Sequence, residues 1–265
     1  DWRRSITWAV EPQIRYNDQG DRLPPELLLS ANLSLREGGT LYSDILYAWR
    51  GYDDLVSRGN GVVVQEARLQ SLQQYYDRPR VGNWAWRLGG TLLQEGNDGY
   101  AIQPEATVHW FPRDDLDLRL LAYPLWSQDW LLWEEGTLFT SHRRRQMRLD
   151  VDLGWYPFTR HELRLKAQWI GIETRDPTAY RIGAGGHLVE SDDEVAPFTV
   201  NSFGLQLRYR YEFGPQRELY VVYGRGGHAQ ALQQRGDYRG LGDLFGDIGE
   251  LRDAEQVLVK LRWGF

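Results

Sequence analysis

The chain has 265 residues, 37 acidic and 31 basic side chains, a net charge of −6 and no cysteine. The missing cysteines exclude a disulfide framework, a thiolate metal site and a cysteine nucleophile, and the acidic balance argues against nucleic acid as a partner. Aromatic residues make up 13% of the chain, including 12 Trp and 15 Tyr, too much bulky apolar surface for a disordered chain.

Mean hydropathy is −0.57. The apolar run Leu120–Trp126 falls far short of the ~20 apolar residues of a transmembrane helix. One membrane architecture stays open, because strands that alternate lipid-facing and lumen-facing residues average out as polar. No signal-peptide pattern opens the chain, so Asp1 is expected to begin a mature protein or a fragment.

Alternation starts at the first predicted strand, where Trp8, Val10, Pro12, Ile14 and Tyr16 alternate with Ala9, Glu11, Gln13 and Arg15. It continues through Leu27–Leu35 and Tyr100–Trp110. In Met147–Trp155 the odd positions are Met147, Leu149, Val151, Leu153 and Trp155, and the even ones are Arg148, Asp150, Asp152 and Gly154. Leu163–Trp169 alternates with Arg164, Lys166 and Gln168, and Phe203–Phe213 with Gln206, Arg208, Arg210 and Glu212. This period of two predicts strands with one apolar and one polar face. The predicted strands run to roughly 10–16 residues, against about 5–6 for globular strands. Aromatics recur at their ends, as in the interfacial girdles of lipid-facing barrels. Both features favour a membrane barrel over a soluble sandwich.

Short turns are predicted at Glu37–Thr40, Tyr76–Asn83, Pro112–Asp115, Pro157–Arg160 and Gly214–Gln216. Longer connections are predicted at Asn17–Pro25, Gly51–Gly61, Glu95–Gly99, about Trp133–Ser141, Arg175–Asn201 and Arg225–Ala254. Trp130–Phe139 breaks the alternation and reads as two strand extensions around a loop. The predicted fold is all-β, a single domain over residues 1–265. It is a transmembrane antiparallel up-and-down β-barrel of about 12 strands, with short periplasmic turns and long extracellular loops, integral to the outer membrane of a Gram-negative cell envelope.

The last strand sets Val257, Val259, Leu261, Trp263 and Phe265 against Leu258, Lys260, Arg262 and Gly264. An apolar residue at every second position ending in a terminal Phe resembles the C-terminal signal read by the barrel assembly machinery. Segments Tyr52–Gly61 (YDDLVSRGNG), His161–Ile172 (HELRLKAQWIGI), Asn201–Phe213 (NSFGLQLRYRYEF), Glu218–Gly227 (ELYVVYGRGG) and Val257–Phe265 (VLVKLRWGF) together resemble one family. It is the C-terminal outer-membrane β-barrel, a domain of unknown function, that usually follows a family 9 carbohydrate-binding-like domain. The resemblance spans roughly Tyr52 to Phe265 and implies fold rather than chemistry. The carbohydrate-binding-like domain is absent and the family barrel is longer, so two readings stay open: part of a larger barrel, or a short relative.

The polar strand faces supply the candidate solute-binding residues, namely Asp150, Asp152, Arg164, Lys166, Arg208 and Arg210, expected in cross-strand rows of alternating sign along a lumen. A structural network filling a narrow interior is the competing explanation. Arginine outnumbers lysine 29 to 2. The run His142–Arg145 (HRRR) makes Arg143, Arg144 and Arg145 candidates for contact with lipopolysaccharide phosphates. None of the five histidines lies in a hydrolase pattern. Ser141 and His142 are neighbours and would face opposite ways on a strand. His228 and Asp237 share a loop. No catalytic residue, cofactor or metal site is assigned. Glu190–Glu194 (ESDDE) crowds acids but lacks the spacing of a calcium loop. The glycine clusters Arg58–Gly61, Gly183–Gly186 and Gly224–Gly227 read as loop turns needing positive φ.

The expected function is a pore or transporter for a small polar or charged solute through a charged lumen. A plugged, partner-binding barrel within a larger complex is the main alternative, and an outer-membrane hydrolase a third. The expected partners are outer-membrane lipid and lipopolysaccharide, the assembly machinery, and a further outer-membrane or periplasmic subunit.

Overall fold

The period of two becomes one long antiparallel sheet in a computed structural model of the chain, which describes residues 2–234 and 238–264. In chain order its elements are β1 (Arg3–Gln13), β2 (Glu26–Leu35), β3 (Thr40–Ala48), the small hairpin of β4 (Gly51–Asp53) and β5 (Val63–Gln65), β6 (Arg68–Val81) and β7 (Trp84–Glu95). β8 (Gly99–Arg113), β9 (Leu116–Glu135), β10 (Leu138–Phe158), β11 (His161–Ile182), β12 (Leu188–Ser191), β13 (Phe198–Gly214), β14 (Arg217–Leu232), the helix α1 (Leu241–Gly246) and β15 (Ala254–Trp263) follow. The main sheet runs β1-β2-β3-β6-β7-β8-β9-β10-β11-β13-β14-β15, with β12 as a short extra partner of β11. Twelve strands therefore run up and down in sequence order, as the alternation predicts. β1 pairs with β2 and β15 with β14; among the described residues no pairing joins β1 to β15.

The connections correct four predicted boundaries. β6 runs through Val81, so the turn predicted at Tyr76–Asn83 shrinks to residues 82–83. β9 and β10 meet across Gly136 and Thr137, so Trp130–Phe139 is indeed two strand extensions, around a two-residue turn. Residues 96–98 likewise form a tight turn. β14 continues to Leu232, which places Gly224–Gly227 inside a strand rather than in a loop. The length expected in loops sits instead in strands β9, β10 and β11, of 20, 21 and 22 residues. At ~3.3 Å per residue these are about 66–73 Å long, while a tilted strand needs only about 9–11 residues to cross a bilayer.

The register assigns every side chain to one of two faces. Leu149 of β10 lies beside Ala122 of β9 and Trp169 of β11, and Trp169 beside Phe203 of β13. On this face β10 carries no charge from Met147 to Trp155, β9 none from Leu116 to Trp126 and β8 none from Tyr100 to Trp110. Trp84 and Trp110 stack at 5.6 Å near the short turns, and Phe213 meets Trp263 there at 5.6 Å. Val257, Val259, Leu261 and Trp263 share this apolar face on β15; Phe265 lies outside the described residues. Two large cavities open on the opposite, polar face. It is called the inner face below.

Near the long connections the regular ladder bends. The β9–β10 register shifts between His142 and Arg144, and the β10–β11 register between Ser141 and Arg143, where Asp176 adopts a φ of 47°. Asp tolerates this left-handed conformation better than most side chains. α1 docks on the outer face just below. Trp169 donates from Nε1 to Asn201 Oδ1 at 2.8 Å and meets the Phe245 ring edge-on at 5.0 Å. Asn201 Nδ2 in turn donates to the Leu244 carbonyl at 2.7 Å.

Candidate functional site

The inner face gathers the charges of the alternating strands into one ladder. On β6 and β7, Arg87 Nη2 donates to Asp77 at 2.7 Å. On β10, Asp150 accepts from Arg148 at 2.7 Å and from Gln168 of β11 at 2.9 Å. Asp152 lies 3.0 Å from Arg119 of β9 and 3.7 Å from Lys166 of β11. Glu162 of β11 accepts from Arg208 at 2.7 Å and Arg210 at 3.3 Å, and pairs with Arg164. Glu218 of β14 continues the row, holding Arg210, Tyr220 at 2.9 Å and Arg262 at 3.7 Å. All six candidates read from the alternation (Asp150, Asp152, Arg164, Lys166, Arg208 and Arg210) thus lie on one face.

Their order differs from the predicted alternation of sign. Arg164 stands directly opposite Arg208. Like charges in register repel, and the pair is held by Glu162, whose side chain is only 9% exposed. Residue spacing within one strand cannot reveal a partner placed by cross-strand register, so the alternation does not single out Glu162, Glu218 or Arg119, and it places Arg148 on the polar face without making it a candidate.

The wall also separates charge along the sheet. On the inner face of β6 to β10, below the level of Glu95 and Arg144, Asp77, Glu105, Asp117, Asp150 and Asp152 outnumber Arg87, Arg119 and Arg148. On β11 to β15, Arg164, Lys166, Arg208, Arg210, Lys260 and Arg262 outnumber Glu162, Glu212 and Glu218. A cavity of about 640 Å³ lies over the acidic half, lined by Asp77, Arg87, Glu105, His109 and Arg148 among others. A second, of about 580 Å³, lies over the junction with the basic half, lined by Asp152, Lys166 and Gln206. Arg119 and Asp150 border both. Glycine opens the second cavity, for Gly204 of β13 lies beside Gly226 of β14 and a Cβ at Gly204 would meet nothing within 4 Å.

The remaining motifs separate. Strand alternation splits the HRRR run. Arg143 and Arg145 are exposed on the outer face, while Arg144 turns inward, 11% exposed, against Glu95 at 3.5 Å and over the Trp130 ring at 4.3 Å. Arg144 is therefore removed from the lipopolysaccharide candidates. Ser141 bonds Asp129, and His142 Nε2 lies 3.0 Å from Thr140 Oγ1, so the two face opposite ways as expected. Among the described residues no serine hydroxyl is hydrogen-bonded to a histidine ring. His228 lies in β14, and Asp237 falls outside the described residues. The acids of Glu190–Glu194 do not converge: Asp193 is taken by Arg181 at 2.6 Å and Ser191 at 2.7 Å. That pairing, Arg181 first and Ser191 second, holds the Asp193 carboxyl down to about 2. Among the described residues no group of three His, Asp or Glu is placed to hold a metal ion. Gly59, Gly61, Gly185 and Gly186 do take positive φ in connecting segments. Gly227 does not; it is needed because a Cβ there would lie 2.5 Å from the Leu251 carbonyl carbon.

No family model and no curated protein matches the chain. Among solved structures it is similar to the NanC porin, at 13% identity over 82% of this chain and 87% of that one, with a TM-score of 0.28. It is also similar to OmpT, an outer membrane protein of Vibrio cholerae, at 11% identity over 88% and 89%, TM-score 0.30. The loop L8 deletion mutant of the same OmpT aligns at 10% identity over 85% and 94%, TM-score 0.30.

Proposed function

We propose that this chain is an integral outer-membrane barrel protein that admits or binds a small polar or charged solute along its charged inner wall. One observation carries the reading: the register puts an uncharged face and a salt-bridged face back to back over the same strands. A charge on the lipid face costs ~2–4 kcal/mol at the bilayer midplane, so the charged side of such a sheet must face water or protein. The aromatics at the strand ends fit the two interfaces. The acidic and basic halves of the wall would impose a transverse field on a solute passing between them.

The test is planar-bilayer conductance of the full chain. Unitary current steps are expected, because lipid cannot satisfy unpaired edges and membrane insertion therefore requires β1 to close against β15. Asp150→Ala and Arg208→Ala should move the reversal potential in opposite directions, towards anions and cations respectively. Inserted protein whose selectivity ignores both substitutions refutes the lumen role.

A second reading, a plugged barrel, has its own support. The connection carrying β4 and β5 leaves β3 and β6, yet Arg58 lies over the Trp133 ring of β9 at 4.6 Å. A Cβ at Gly61 would lie 3.0 Å from Ile182 of β11. A segment rooted three or more strands away thus reaches the tips of the longest strands. Inserted protein without current, made conductive by deleting residues 53–62, would favour this reading.

A further inference from the structure

Above the apolar belt the outer face turns basic. On β10 the first charged outer side chain beyond Met147 is Arg145, and Arg143 follows. Arg143 stands in register with Arg175 of β11, one guanidinium facing another. Glu173 is buried, with 3% of its side chain exposed, and reaches Arg175 at 3.2 Å and Arg145 at 3.6 Å. Asp176 reaches Arg143 at 3.2 Å. Three guanidiniums against two carboxylates leave a positive excess, in a geometry that cross-strand repulsion disfavours unless an anion is shared. Tyr238 fixes Arg175 from outside, its ring 5.0 Å from the guanidinium carbon.

The neighbouring surface is apolar. Trp126 of β9 lies in register with Arg145 on one side and with Ile102 of β8 on the other. Trp126 and Ile102 are 46% and 51% exposed. A cavity of about 580 Å³ joins them to the three arginines, and Arg144 also contributes to its lining. One row of the sheet therefore offers an apolar wall that leads directly to a cluster of guanidiniums, at the level where the belt ends. Arginine forks match phosphate oxygens in pairs, and an amphiphile with an anionic head has both required parts.

We propose that Arg143, Arg145 and Arg175 bind the phosphate groups of a membrane lipid at the long-connection border of the belt, with its chains against Trp126 and Ile102. The proposal rests on the membrane reading but not on an open pore. The test uses the full chain in a nonionic detergent, with bound lipid counted by native mass spectrometry. The ligands are a doubly phosphorylated glucosamine lipid (lipid A), the same lipid with its phosphates removed, and inorganic phosphate.

The phosphorylated lipid should bind and the dephosphorylated one should not. Arg143→Gln and Arg145→Gln should each weaken binding roughly fivefold, while Arg113→Gln, exposed at the opposite, short-turn end of the sheet, should leave it unchanged. Equal binding of the dephosphorylated lipid, or an equal loss with Arg113→Gln, overturns the proposal. Displacement by millimolar inorganic phosphate assigns the site to a free anion and overturns the lipid assignment. Arg145→Gln strips a buried carboxylate of one partner and can impair folding. Arg143→Gln disturbs only the exposed Asp176, and the lipid pair needs no variant. Failure of the membrane reading itself would show separately, as chain left in the aqueous phase on detergent partitioning.

Discussion

Glu162→Gln is the most informative single change in the inner wall. The carboxylate is 9% exposed and stands among Arg164, Arg208 and Arg210. Removing its charge leaves three guanidiniums close together, two of them directly in register, with Glu218 the nearest remaining acid of the row. Breaking a buried ion pair from one side costs about 3–5 kcal/mol, and a lost hydrogen bond to a charged group about 1.5–3 kcal/mol. The arginines are a third to a half exposed, so water in the wall screens part of the repulsion and the lower end applies. A loss of about 3 kcal/mol is expected. Urea unfolding of the inserted protein, followed by tryptophan fluorescence, measures it. The cluster argument also predicts that Arg208→Gln added to Glu162→Gln costs less than the two losses summed, with a coupling of about 1–3 kcal/mol. A Glu162→Gln effect within about 0.5 kcal/mol, the range of ordinary surface changes, together with strict additivity, would refute the reasoning and show each arginine independently solvated.

Two further outcomes follow from the connecting segments. Asp129 accepts from the Asn97 amide at 2.7 Å and the Asp98 amide at 3.3 Å, and also holds Ser141; Asp129→Ala should lower the local opening cost by about 1–2 kcal/mol, read as roughly tenfold faster amide exchange at residues 97 and 98. Asp193 has a folded value below its unfolded value of ~3.9, so its contribution is complete above about pH 4 and lost as the pH falls towards 2; proteolysis of residues 183–197 should quicken over that window, and Asp193→Asn should remove the pH dependence.

Much of the architecture was legible before any register was known. The alternation of Met147–Trp155 and Phe203–Phe213 identified the strands and assigned each side chain to a face, because a pleated strand has no other way to separate apolar from polar residues. The HRRR run shows the same rule misapplied: three adjacent arginines were read as one patch, although alternation must turn the middle one away. The glycines Gly224–Gly227 were read as a turn on composition, yet they serve a strand. Gly226 lies beside Gly204 along the second cavity, and Gly227 admits the backbone of Leu251.

The strand pattern, the up-and-down order and the sharing of a face are already present in the order of residues, since these depend on local period and on short turns. Which residues become partners is set by the assembled sheet. Glu162 is an ordinary strand glutamate until register sets it among three arginines. Arg175 joins Arg143 only because β10 and β11 pair as they do. Trp169 is buried only because α1, more than 70 residues further along the chain, folds back over it. Strand pairing and loop docking bring together residues distant in sequence, and no local pattern encodes the offset between two strands once the turn that joins them is left behind.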